Sequence, residues 1–201
     1  AWQARHFGWK ADPAWIVPTQ GVIAALNTAV QAFSQPGDTV LVQTPVYHHF
    51  LNDVAHNGRH VATAPIPFEG GRYRFDAAAF EAAIRPGTRL FILCNPHNPT
   101  GTVWSHADLL AMADICERHG ILIISDEVHQ DLVLDPAKRH VPIAMLDEAV
   151  ARNTIVCTAP SKTFNLAGLS CANIFIADAR RREIFLNQRD RNGNLLSNIM
   201  G

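Results

Sequence analysis

The sequence predicts an α/β fold, a three-layer α/β/α arrangement around a mostly parallel sheet. Apolar runs such as Arg89 to Cys94 and Ile121 to Ser125 are continuous rather than alternating, which fits strands buried on both faces. Helical stretches with recognisable caps lie between them. Strand and helix then alternate along most of the chain, the rhythm of crossover connections.

The elements follow in order. Val22, Ile23, Leu26, Ala29, Val30 and Phe33 recur at helical spacing from Gly21 onward. Gln35, Pro36, Gly37 and Asp38 end that helix before a short strand from Thr39 to Gln43. A second helix follows Tyr47 and stops near Gly58, leading into a strand over His60 to Ala64. Gly70 and Gly71 mark a turn or exposed loop within Phe68 to Tyr73. Asp76 is the expected N-cap of a third helix, with Phe75 and Phe80 spaced as a hydrophobic staple and Pro86 and Gly87 closing it. Ser105 and Asp108 have the capping-box spacing; their helix runs through Leu109, Met112, Ile115 and Cys116 to a stop at His119 and Gly120. Leu146 to Val150 precedes a strand over Thr154 to Cys157, and Asn173 to Ala177 is one more strand before a charged terminal helix.

Composition narrows the class. At 201 residues and 48% hydrophobic, the chain can bury a sizeable core, and 17% charged residues are too few for a disordered tail. One globular domain is expected. The formal net charge of −1, with positive charge scattered apart from Arg180, Arg181 and Arg182, gives no footprint for nucleic acid. No apolar run approaches membrane-spanning length, and no membrane partner is expected. Cys94, Cys116, Cys157 and Cys171 show no C-x-x-C pairing, which fits a reducing, cytoplasmic setting. The chain opens within the aromatic stretch Trp2, Phe7, Trp9 and Trp15 and stops after Ile199, Met200 and Gly201, so both ends are expected to be cut.

Ligands of such sheets bind beyond the carboxyl ends of the strands. Three of those ends carry reactive groups: Asn95 to Gly101 after the first, Asp126 to His129 after the second, and Pro160 to Thr163 after the third. The stretches between Asn98 and Asp126, and between Asp126 and Lys162, each have room for a crossover helix and a strand. An amide, a carboxylate and an amine should therefore converge at one edge.

The runs NPHNPTG (95–101), SDEVHQD (125–131) and SKTFNLAGL (161–169), in this order, resemble the fold-type-I pyridoxal 5′-phosphate (PLP) enzymes of the aminotransferase class I/II superfamily. The resemblance covers nearly the whole chain. His97 within the first motif, DEVH where DEVY is usual, and the SKTFNLAGL ending are most similar to the carbon–sulfur β-lyases of the MalY/PatB-like cystathionine β-lyase group. The resemblance implies that residues 1–201 form a PLP-dependent transferase-like major domain, the cofactor-binding large domain. It also implies an N-terminal arm and a C-terminal small domain outside the chain, a homodimer, and a small amino-acid substrate.

Roles follow from the resemblance and are chemically reasonable. Lys162 would form the Schiff base with PLP, and its freed amine would move the substrate Cα proton, work that needs an amine of lowered pKa. Asp126 would keep the pyridine nitrogen protonated, because a buried carboxylate favours a cation beside it. Asn98 would donate to the phenolic oxygen, and the ring of Tyr47 would stack on the pyridine face. Gly21, Val22 and Ile23, opening a helix, would offer amides and a positive dipole end to the cofactor phosphate, with Ser161 completing the cup ahead of Thr158 and Ala159. Cis peptides before Pro45 and Pro99 are implied as well.

Two departures bear on activity. His129 stands where typical aminotransferases of this group carry a tyrosine, and Ser170 where they carry a phosphate-binding arginine. Both point toward the lyase subgroup, and the second weakens the phosphate site, since a hydroxyl replaces a fixed positive charge. His48, His49, His97 and His129, with Glu127 and Asp131 nearby, lack metal-ligand grammar, so no metal is expected; His97 and His129 are expected to lie around the cofactor site. The reading is a β-lyase acting on cystathionine or a cysteine S-conjugate. The alternatives are an aminotransferase with the same cofactor and a non-catalytic regulatory or inactive form of the fold.

Overall fold

A computed structural model gives the fold and describes residues 1–194. The terminal Ile199, Met200 and Gly201 lie outside the described residues. The strands are β1 (Ile16–Thr19), β2 (Thr39–Thr44), β3 (His60–Pro65), β4 (Phe68–Glu69), β5 (Arg72–Tyr73), β6 (Thr88–Cys94), β7 (Leu122–Asp126), β8 (Thr154–Thr158) and β9 (Ala172–Ile176). The helices are α1 (Trp2–Phe7), α2 (Val22–Phe33), α3 (His48–His56), α4 (Ala77–Ala82), α5 (His106–Arg118), α6 (Glu148–Arg152), α7 (Pro160–Thr163) and α8 (Ala179–Arg191).

Seven strands form one sheet in the order β1-β9-β8-β7-β6-β2-β3. From β3 through β8 the neighbours are parallel; β9 runs antiparallel to β8, and β1 antiparallel to β9. The chain steps outward from β2 to β3, then returns to the other side of β2 at β6 and continues through β7 to β8. Crossovers keep one hand, so reversing the direction of travel moves the helices to the opposite face. Helix α3 accordingly packs with α2 and α8 on one face, and α4, α5 and α6 pack on the other.

Side chains alternate between the two cores as strand geometry requires. Val40, Val42, Leu90, Ile92 and Ile124 point to the α2/α3/α8 side. Leu41, Phe91, Leu93, Ile123 and Val156 point to the other side, against Phe80, Leu109, Met112 and Trp104. Burial on both faces is why these strands read as continuous apolar runs.

The local signals took the form their chemistry suggests. Asp76 caps α4 by accepting from the Ala79 amide at 3.0 Å, and Phe75 packs edge-on against Phe80 with ring centroids 5.5 Å apart. The Ser105 hydroxyl accepts from the Asp108 amide at 3.1 Å while Asp108 accepts from the Ser105 amide at 3.0 Å, a complete capping box at the start of α5. Around Gly70 and Gly71 the chain forms the small hairpin β4-β5. Two elements at the start carry no such signal. The six-residue α1 is short, and β1 contains Pro18, which is tolerated because β1 is an edge strand.

Candidate active site

β6, β7 and β8 end at one edge, and the backbone laces their tips together. Cys94 pairs with Asp126, and Asp126 with Cys157. The Asn95 amide donates to the Asp126 carbonyl at 3.0 Å, and the Glu127 amide to the Cys157 carbonyl at 2.8 Å. Asp126 is thus the terminal residue of the middle strand. Asn98 follows one neighbouring strand, and Lys162 follows the other.

The Asp126 side chain is buried, and its surroundings govern its charge. Burial, first, and the neighbouring Glu127 push its pKa up to about 7, opposed by the Val128 amide donating to Oδ1 at 3.1 Å and by the positive charge of Lys162. Lys162 is therefore within electrostatic reach of the acid. Lys162 sits on the one-turn helix α7 and is exposed. Beside Asp126, burial raises the thiol pKa of both Cys94 and Cys157, so these side chains stay neutral.

On the other side of Asp126, Asn98 is half-buried, its backbone N–H donating to Cys94 Sγ at 3.3 Å. His97 is almost fully buried, and burial lowers its pKa. Its Nε2 donates to the Pro45 carbonyl at 2.8 Å, so the neutral ring ties the Asn98 loop to the turn before Tyr47. The peptides before Pro45, Pro96 and Pro99 are all cis; that before Pro96 adds to the two expected from sequence. Tyr47 is half-buried at the N-cap of α3, its ring beside His48, His49 and Phe50.

Gly21 is the N-cap of α2 and has φ +117°, a conformation open to glycine almost alone. Among the described residues other than its chain neighbours, no heavy atom lies within 4 Å of where its Cβ would stand, and Gly21 has no side chain to cap the helix. Gly21 therefore supplies no side-chain acceptor to the first amides of the helix, at Val22 and Ile23. Ser161 lies half-buried on α7 beside Lys162, and Ser170 is exposed with φ +46°.

His129 is half-buried; burial and then the nearby Lys162 lower its pKa. Together with Asn98, Pro99, Leu132 and Lys138 it lines a cavity of about 470 Å³. Lys162, Asp126 and Tyr47 do not line this cavity.

The structure adds groups that spacing did not assign. Glu127 is fully buried: it accepts from the Ser125 hydroxyl at 2.9 Å, from His140 Nε2 at 2.8 Å and from the Ile143 amide at 3.1 Å. Asp131 accepts from Trp2 Nε1 at 3.0 Å and from the Thr163 hydroxyl at 2.7 Å. Their acidic character in SDEVHQD was the available signal, but alternation along 127, 129 and 131 cannot say which way each side chain turns. Among the described residues, no three His, Cys, Asp or Glu side chains gather to hold a metal ion.

The family model described as aminotransferase class I and II matches residues 3–200. The chain belongs to this family. Among its curated relatives is cystathionine beta-lyase PatB of Bacillus subtilis, 45% identical over 193 residues, covering 96% of this chain and 50% of the relative. Cystalysin from Treponema denticola, whose crystal structure contains pyridoxal 5′-phosphate, superposes with TM-score 0.95 at 33% identity, over 99% of this chain and 50% of cystalysin. The N-succinyldiaminopimelate aminotransferase of Mycobacterium tuberculosis superposes with TM-score 0.85 at 34% identity, over 94% of this chain and 48% of that one. The chain spans about half the length of the curated relatives it matches. Solved structures whose names carry either chemistry thus share this fold. Among the described residues, no helix is long and apolar enough to cross a membrane.

Proposed function

We propose that this chain is the cofactor-binding large domain of a PLP-dependent carbon–sulfur β-lyase that cleaves cystathionine or a related cysteine S-conjugate to pyruvate, ammonia and a thiol. One observation carries the cofactor assignment: a buried carboxyl with a pKa of about 7, at the end of the middle of three parallel strands and within electrostatic reach of a lysine on the short helix that follows the next strand. Among the described residues, the Val128 amide alone donates a hydrogen bond to the Asp126 carboxyl, which leaves Oδ2 for a cationic partner. The uncapped start of α2, with open space at Gly21, suits an anion. The residues present therefore fit PLP.

Asp126 would hold the pyridine nitrogen, Asn98 the phenolic oxygen, Tyr47 a face of the ring, and Gly21, Val22, Ile23 and Ser161 the phosphate. His129, neutral and near Lys162, would border the phenolic side without adding positive charge. When bound, PLP supplies a ring that withdraws electrons from the substrate Cα. Lys162 would anchor the cofactor and then take the Cα proton as its general base. Asp126 would remain ionised beside the protonated ring nitrogen, because that cation offsets the burial that otherwise keeps its proton on.

The lyase reading over the aminotransferase reading is supported by the relationship to PatB and by His129 and Ser170 in place of tyrosine and arginine. It extends to a homodimer, with the substrate-carboxylate arginine on a small domain beyond this chain, and to a reducing cytoplasm suited to four free cysteines. The test is the product pattern of the intact protein supplied with PLP. Pyruvate and free thiol from cystathionine, with no amino group passed to an added keto acid, are expected; amino transfer without thiol release overturns the reading in favour of an aminotransferase, and neither product favours a non-catalytic protein.

A further inference from the structure

We propose that Asp131 is the positioning residue for the Lys162 amine, fixing the lysine-bearing turn to the strand tip that carries Asp126. This rests on the reading of Lys162 given above. The segment 160–170 is weakly held: residues 164–168 are all exposed, and Asn165 and Ser170 both have positive φ. Its backbone hydrogen bonds, Phe164 to Pro160, Leu166 to Ser161, Leu169 to Leu166 and Ser170 to Ala167, all close on the segment itself. Helix α7 has one turn, too short to be stable alone. Among the described residues, the Thr163 hydroxyl makes the one hydrogen bond that leaves the segment, and its acceptor is Asp131 Oδ2 at 2.7 Å.

Asp131 is itself well fixed. Its other oxygen takes Trp2 Nε1 at 3.0 Å, and Trp2 packs edge-on against Phe164 with ring centroids 5.3 Å apart. The turn that joins it to Asp126 is anchored from beneath by the buried Glu127 and its three donors. One short stretch of chain therefore carries both the carboxyl for the ring nitrogen and the clamp for the lysine next door. A charged acceptor makes the Thr163 bond stronger than a neutral one would. Without it, the Lys162 amine keeps its sequence position but loses its direction.

The decisive variant is Thr163→Val, which keeps size and β-branching and removes the donor; Thr163→Ser is the rescue. Two readouts are taken on the intact protein: amide hydrogen exchange at Phe164 and Leu166, and the rate at which added PLP becomes covalently attached to Lys162, followed by mass after borohydride trapping. Expected for Thr163→Val are roughly tenfold faster exchange at those two amides with Ile123 and Ile124 unchanged, and roughly tenfold slower attachment, the order of change for loss of one charge-assisted bond. Thr163→Ser should restore both. Unchanged exchange and unchanged attachment in Thr163→Val overturn the positioning role. Faster exchange with unchanged attachment also overturns it, leaving Asp131 a purely structural clamp. If the parent protein attaches no PLP at Lys162, the cofactor assignment and this role, which rests on it, fall together, and the exchange arm separates that result from a clamp that never existed.

Discussion

A carboxyl that moves from 3.8 to about 7 when the chain folds binds its proton more tightly in the native state than in the unfolded one. For Asp126 the sign follows directly: between about pH 4 and about pH 7 the folded protein carries the extra proton, so stability falls as pH rises through that window and levels off above it. The difference between those two values corresponds to about 4 kcal/mol in the cofactor-free protein. Asp126→Asn is expected to remove this component, so that its stability relative to the parent grows between pH 4.5 and pH 7.5, as read from urea midpoints. PLP should abolish the difference by pairing the carboxylate. Equal behaviour of variant and parent across that range would mean that Asp126 is already ionised and solvated. That Asp126, Asn98 and Lys162 stand at or just after the ends of three adjacent strands was readable from motifs. The raised pKa was not, because it comes from burial by residues distant in sequence.

Among the elements, α5 and the turn after β7 are the most open to test. Ser105→Ala deletes the hydroxyl half of a complete capping box and should cost about 1 kcal/mol, visible as a lower denaturation midpoint with the site unaffected. Glu127→Ala is a larger insult: it leaves the Ser125 hydroxyl, His140 Nε2 and the Ile143 amide buried without their acceptor, at a cost of about 3–5 kcal/mol. An effect under 1 kcal/mol in urea would show that water replaces the carboxylate. The helix starts and the turn after β7 differ in legibility for a physical reason. A cap is a local bond between residues three apart, so Ser105 and Asp76 declare themselves in the sequence. Glu127 meets His140 and Ile143 only after the chain has looped back, and Asp131 meets Trp2 from the far end of the chain.

For the whole molecule, two cores on opposite faces of one sheet bind the strands into a single cooperative unit, and Phe91 lies fully buried in the core opposite α2. Phe91→Ala should destabilise by about 3–5 kcal/mol, while Phe68→Ala, at an exposed hairpin position, should change stability by under about 0.5 kcal/mol in the same urea titration. Comparable costs at both positions would contradict this division of core and surface. The sequence by itself determined that strands and helices alternate, that β6, β7 and β8 are buried on both faces, and that an amide, a carboxylate and an amine follow them. These depend on apolar runs, caps and spacing, which are local. Tertiary structure alone decided that β9 and β1 run antiparallel at the edge, that Glu127 turns into the core while His129 borders a cavity, and that Asp131 holds the turn of Lys162. Strand direction and side-chain partners are set by which distant segments pack together, and spacing along the chain does not encode that.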